Sequence, residues 1–250
     1  MVSTSPEDDA AYIALADLVE VLREHPGARV IGGHMVSLIA AAFPSEGLVE
    51  RRTGDADAGI PIELAASGEL HFALSGIGYE AENSNRYVKT GFDDPKPTID
   101  LLIPTFTGKF GSQRRGDRVF NTMPGLAVAL GPGIDITVYA TLRDGRELVV
   151  PASVPGIEGA IIMKAYAWRD RRTQTNKDVI DLSNLLHVLE QHGPDVLGGW
   201  RLGTPGQSGS RGDTAKLLRQ LADMLDAGRF MNARIHPRKV FLLIRKHIAK

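Results

Sequence analysis

The 250-residue chain contains no cysteine. That excludes disulfides, thiolate nucleophiles and zinc held by cysteine. No stretch reaches the roughly 20 consecutive apolar residues of a membrane-spanning helix, so no membrane partner is expected. Neither sign of charge prevails: 29 Lys and Arg stand against 30 Asp and Glu, a formal net charge of −1. A whole-surface electrostatic grip on nucleic acid is thereby excluded, and any such grip must be local. The seven histidines follow no metal-ligand spacing, and neither a Ser-His-Asp elbow nor a Gly-Lys-Ser/Thr phosphate loop occurs. The opening MVSTSPEDDAAY is acidic and polar, without the basic start and apolar middle of a signal peptide. A soluble, cytoplasmic protein is expected.

What is present is an ordinary globular composition, 43% apolar and 24% charged, which argues against disorder. A chain of this length has material for one large domain or two small ones. Apolar residues at helical spacing predict a first helix from about Glu7 to Glu24, capped by Thr4 or Ser5. RVIGG reads as a short strand ending in glycines, HMVSLIAAAF as a buried helix, and RRTGDADAGI as a strand. PIELAASGEL reads as a helix reaching as far as Leu74. GYEAENSNRYVKT and PTIDLLIP each read as a strand, and residues 105–125 as a long Gly/Arg loop. DITVYATLRDGRELVVPAS reads as a hairpin turning at Asp144-Gly145. From Ile157 the pattern is helical, with GGWRLGTPGQSGSRGDT as a flexible connector. The expected class is α+β: a mixed sheet with flanking helices over residues 1–155, then a helical part over residues 156–250.

Two stretches carry chemistry. Gly32 and Gly33 fall where a strand hands over to a helix. Glycine there lets backbone approach a ligand, and the free N–H groups of the helix start attract anions, phosphate above all. Tight turning alone also accounts for two glycines. Asp55 and Asp57 are separated by one residue. On a strand, alternate residues share a face about 6.5 Å apart, a spacing at which two carboxylates can hold a divalent ion such as Mg2+. A solvated turn also accounts for them, since TGDADAG is rich in turn formers.

The order of these features decides between the readings. Gly-Gly, an apolar helix, then Arg51-x-Thr53-x-Asp55-x-Asp57 resembles the signature of the nucleotidyltransferase superfamily that includes DNA polymerase β, and within it the branch of AbiEii-type toxins and minimal nucleotidyltransferases. His34 departs from the pattern, which has a small residue there. The resemblance implies a mixed-sheet nucleotidyltransferase fold, with Gly32, Gly33, Ser37 and Thr53 along the triphosphate and Arg51 close by. It implies Mg2+ on Asp55 and Asp57, and a third carboxylate on a neighbouring strand. Asp100 in PTIDLLIP is the candidate, to bind metal or to accept a proton; Asp135 in GIDITV competes for the role.

A second constellation follows in IIMKAYAWRDRRTQTNKDVIDLSNLL. Lys164 sits in an apolar run, where it either snorkels to water or offers a point charge to phosphates. Asn176 can cap the next helix, with Asp178 favourable to its dipole. Lys164, Arg169, Lys177, Asp178 and Asp181 also match the toxin branch in order and spacing. The resemblance implies that Lys164 and Arg169 offset triphosphate charge and that Asp178, ahead of Asp181, serves the site.

The expected activity is transfer of a nucleoside monophosphate from an NTP to an acceptor. The family implies the toxin of a type IV toxin–antitoxin system, with tRNA or another RNA as acceptor and a cognate antitoxin as partner. Local basic clusters suit an RNA backbone: Lys109, Arg114, Arg115 and Arg118 in the loop, and Arg234, Arg238, Lys239, Arg245, Lys246 and Lys250 in the tail. Two alternatives stand beside it. One is a small-molecule nucleotidyltransferase of the aminoglycoside-modifying kind; the other is a catalytically silent nucleotide-binding protein.

Overall fold

The computed structural model of the chain describes residues 1–83, 85–229 and 234–248. Helix α1 (Pro6–Leu22) starts at Ser5, whose hydroxyl accepts from the Asp8 N–H, and buries Ala11, Ala14, Leu15 and Leu18. Strand β1 (Arg29–Ile31) runs directly into α2 (Gly32–Ala42). After β2 (Ala56–Gly59) come α3 (Ile62–Ser67) and α4 (Glu69–Gly76), then β3 (Tyr79–Ala81), β4 (Arg86–Lys89) and β5 (Thr98–Thr105). A hairpin of β6 (Gly111–Arg115) and β7 (Arg118–Pro124), the short α5 (Leu126–Ala129) and a second hairpin of β8 (Gly133–Thr141) and β9 (Glu147–Pro155) complete the first part. The helices α6 (Ile157–Arg171), α7 (Lys177–His192), α8 (Gly209–Asp226) and α9 (Pro237–His247) follow.

The main sheet has seven strands in the order β1-β2-β5-β4-β3, with β7 also on β5 and β6 on β7. It is mixed: β2 and β7 run parallel to β5, and the remaining pairs are antiparallel. β5 is the pivot. On one side, its early residues Thr98–Asp100 pair with β4, and its later residues Leu102–Thr105 pair with β7. Neighbouring partners therefore change where Asp100 gives way to Leu102.

Helices cover the sheet, as expected for an α+β protein with flanking helices. α6 is buried from Ile157 to Trp168 and α7 from Asp178 to Leu189, the pattern of helices enclosed on all sides. One apolar core joins Leu15, Ile31 and Ile99 to Ile161, Leu182 and Leu218. It crosses position 155, where the chain changes from strands to helices.

Several segments differ from the sequence expectation. The strand expected over RRTGDADAGI is confined to Ala56–Gly59, so Asp55 precedes it. The helix expected to reach Leu74 is broken at Gly68, whose φ of +76° ends α3 and begins α4. Residues expected as one strand from Gly78 form two, β3 and β4. The expected loop of residues 105–125 contains the β6–β7 hairpin. β6 pairs only with β7, and an edge strand with no buried face shows no apolar alternation to read. α8 begins at Gly209, inside the expected connector. Among the described residues, no helix is long and apolar enough to cross a membrane.

Candidate metal and nucleotide site

The sheet register brings the acids together. Asp57 on β2 stands opposite Ile31 of β1 on one side and opposite Asp100 of β5 on the other. Facing residues on paired strands project to the same side, roughly 5 Å apart. Asp55, just before β2, completes a group in which one carboxylate oxygen from each residue lies within 4.8 Å of the other two. The Thr53 hydroxyl donates to Asp55 Oδ1 at 3.1 Å, which fixes that carboxylate.

The three charges strain one another. Loss of hydration, then repulsion from Asp55 and Asp100, pushes the Asp57 carboxyl up to about 7. Asp100 is pushed up to about 6 by loss of hydration, with Arg86 opposing and Asp55 adding. Three hard oxygen donors that repel each other are suited to a divalent cation, which relieves the repulsion. Mg2+ fits this donor set. Asp135 stands on β8, outside the group; Asp100 is the third acid of the cluster.

Gly32 is required by the same contact. Its φ is +69°, and a Cβ there would lie 1.8 Å from Asp57 Oδ2. A Cβ on Gly33 would lie 2.5 Å from Arg51 Nη1 and 2.7 Å from Thr53 Oγ1. The strand-to-helix turn is thus pressed against residues 51–57, with the α2 N-terminus beside the acids. Ser37 is placed otherwise: its hydroxyl reaches the carbonyls of Gly33 and Arg51, each at 3.3 Å. It lines a separate cavity with Tyr12 and Asn184. His34 is buried and lies beside the Tyr12 ring. Loss of hydration holds its pKa down to about 4, so it is neutral at pH 7.

The cations of α6 and the acids of α7 pair across the helix interface. Asp181, fully buried, has Oδ2 2.7 Å from Lys164 Nζ and Oδ1 2.8 Å from Arg51 Nε. It joins α6, α7 and the segment before the acids. Asp178 is equally buried but pairs with Arg171 at 2.7 Å. Lys164 and Arg171 then line a cavity of about 370 Å³ together with Gly32 and Asp57, with Met123 and Phe110 on its apolar wall. Arg169 is not among its lining residues. Its guanidinium donates to the Gly108 carbonyl at 2.9 Å and to Asp170 at 2.7 Å, and lies over the Tyr166 ring. Helical spacing explains the exchange: position i+7 shares a face with Lys164, whereas i+5 is turned well away. That signal for Arg171 was present in the sequence.

A second cavity, of about 430 Å³, opens beside the same acids and is lined by Asn83, Asn85, Arg86, Asn121, Asp57 and Asp100. Nothing in the sequence marked these asparagines, because four strands, β2, β4, β5 and β7, contribute to the cavity. Asn85 Nδ2 lies 3.4 Å from Asp100 Oδ1. The two cavities meet at Asp57.

The basic clusters behave differently from one another. Among the described residues, Lys109 and Arg114 have no acidic partner. Arg115 bonds Gln113, and Arg118 lies over the Tyr87 ring. In the tail, Arg238 pairs with Asp226, Arg245 with Asp223 and Lys246 with Glu190, each at 2.6 Å. Arg234 donates to the Glu50 carbonyl, and the Lys239 ammonium lies near His187. Lys177 opens α7 and is exposed. Lys250 lies outside the described residues. Local acids thus answer Arg238, Arg245 and Lys246 in the tail, whereas Lys109 and Arg114 on the β6–β7 side have no ion-pair partner among the described residues. No protein-family model, no curated protein and no solved structure matches the chain.

Proposed function

We propose that the protein is a magnesium-dependent nucleotidyltransferase that moves a nucleoside monophosphate from an NTP to an RNA acceptor. One observation carries the reading: three carboxylates converge within 4.8 Å at the point where two cavities meet, against a helix start opened by Gly32 and Gly33. A metal-binding turn without catalysis would need only the first half of that arrangement.

In this reading Asp55, Asp57 and Asp100 hold the cation, which supplies charge neutralisation and alignment at the reacting phosphate. The α2 N–H groups at Gly32 and Gly33, with Lys164 and Arg171, receive the triphosphate. Arg51 acts one step removed, through Asp181, which keeps Lys164 in place. The apolar wall of Met123 and Phe110 suits the nucleoside. The acceptor hydroxyl lies in the cavity of Asn85 and Asn121. Its oxygen bonds to the α-phosphorus, the bond from that phosphorus to the bridging oxygen breaks, and pyrophosphate leaves with the electron pair. Asp100, which borders the acceptor cavity, takes the hydroxyl proton. Positioning and fixed charge carry most of the rate.

The motif resemblance carries the proposal further, to a type IV toxin acting on tRNA and restrained by a cognate antitoxin. The arginine and asparagines of the acceptor cavity favour an anionic acceptor over a cationic aminoglycoside. The test is incubation with each α-labelled NTP, Mg2+ and total tRNA. Label enters RNA with the wild-type chain, and Asp55→Ala and Asp57→Ala each reduce incorporation to background. Undiminished incorporation in both variants would remove the carboxylates, and with them the mechanism.

A further inference from the structure

Arg86 occupies a place that a bound cation would contest. It opens β4, and its Nη1 lies 3.2 Å from Asp100 Oδ2, while its Nε lies 3.4 Å from Glu82. Asp100 is one of the three clustered carboxylates. A divalent cation on that carboxylate and a guanidinium at contact distance repel each other. Arg86 has somewhere to go: its side chain is 39% exposed and it lines the second cavity with Asn83, Asn85 and Asn121. Among the described residues, the acids on that cavity's wall are Asp57 and Asp100 themselves. Once a cation neutralises them, the cavity presents three amides and the Arg86 guanidinium, whose remaining acid, Glu82, is exposed to water and meets only its Nε. A planar guanidinium fork matches a phosphate, and amides match ribose hydroxyls.

We propose, resting on the nucleotidyl-transfer reading, that Arg86 is the acceptor's phosphate-binding group and is released to that task when a cation takes Asp100. The acceptor is then a single-stranded RNA end, its hydroxyl beside a phosphodiester, and it binds after the metal. Arg86 thus exchanges Asp100 for the acceptor phosphate. Removing it acts in opposite directions on the two ligands.

The experiment compares full-length wild type with Arg86→Gln and Arg86→Lys. Mg2+ alone is titrated by calorimetry. A fluorescent single-stranded RNA with a free 3′ hydroxyl is titrated separately, with Mg2+ and a non-hydrolysable NTP present. Arg86→Gln binds Mg2+ several-fold more tightly, because its competitor is gone, and binds the RNA about tenfold more weakly. Its salt slope for RNA falls by about 0.7, the contribution of one phosphate contact on a single strand. Arg86→Lys lies between wild type and Gln for RNA, since it keeps the charge without the fork. Merely structural damage would weaken both ligands. Unchanged Mg2+ affinity in Arg86→Gln overturns the exchange while leaving the nucleotidyl-transfer reading intact. Unchanged RNA affinity overturns the acceptor role. Failure of wild type and variant alike to bind Mg2+ overturns both this proposal and the reading beneath it. Tighter binding of a cationic aminoglycoside than of RNA to the wild type also overturns it.

Discussion

At Asp57, the backbone register and the electrostatics pull in different directions. The register fixes it between Ile31 and Asp100, yet its carboxyl is held up to about 7 against an ordinary 3.8 by lost hydration and by Asp55 and Asp100. The sign of the consequence is definite. Between about pH 4 and about pH 7 the folded chain keeps a proton there that the unfolded chain has released, so stability falls as pH rises through that window. A cation replaces that proton. Mg2+ should therefore raise the melting temperature more at about pH 8 than at about pH 6, and calorimetry in buffers of different ionisation enthalpy should register proton release on binding. A Mg2+ response that is flat across this range would show that Asp57 does not hold the ion. His34 is the opposite kind of residue: buried and neutral beside the Tyr12 ring, it has no role in this chemistry that the surrounding contacts explain. The Asp pair was legible at this scale, because a spacing of two residues is a purely local relation, although Asp55 lies just before β2 and not on it. Arg171 was legible too, at i+7 from Lys164, once the helical face rather than the order of residues is followed.

Among elements, the joint that matters is α6 against α7. Asp181 sits fully buried between Arg51 and Lys164, so three parts of the chain depend on one carboxylate. Replacing a buried ion-pair partner leaves uncompensated charge and costs about 3–5 kcal/mol. Asp181→Asn should lower unfolding free energy by roughly that amount in urea titration, and should loosen Lys164 toward the nucleotide cavity. Asp178→Asn should cost less, because its partner Arg171 is 51% exposed and can turn to water. Equal losses for the two variants would contradict the division of roles between these acids. The sequence could not make that division: both acids sit in the same KDVIDL stretch, and which cation each meets depends on how two helices pack. The β6–β7 hairpin was hidden for a related reason. An edge strand reading GSQRR, with its residues exposed or half-buried, has no apolar face for a pattern to reveal.

Over the whole molecule, charge is nearly balanced, and what distinguishes one face from another is which charges are already paired. Among the described residues, Lys109 and Arg114 have no acid paired with them, whereas Arg238 and Arg245 are answered by Asp226 and Asp223. Lys109→Gln combined with Arg114→Gln should weaken RNA binding and lower its salt slope by about 1.4, two single-strand phosphate contacts. Arg238→Gln combined with Arg245→Gln should change both far less, in filter binding across a salt series. An equal effect of the two pairs would place the RNA path over the tail instead. The α+β class, most helices, the β8–β9 hairpin and the glycine–aspartate stretch were determined by the sequence alone, because each depends on residues only a few positions apart. The sequence did not determine that Asp100 faces Asp57, that two cavities meet there, or that Arg86 lies against the third acid. Those are relations between different strands, set by which edges pair and in what register, and only the folded chain decides them.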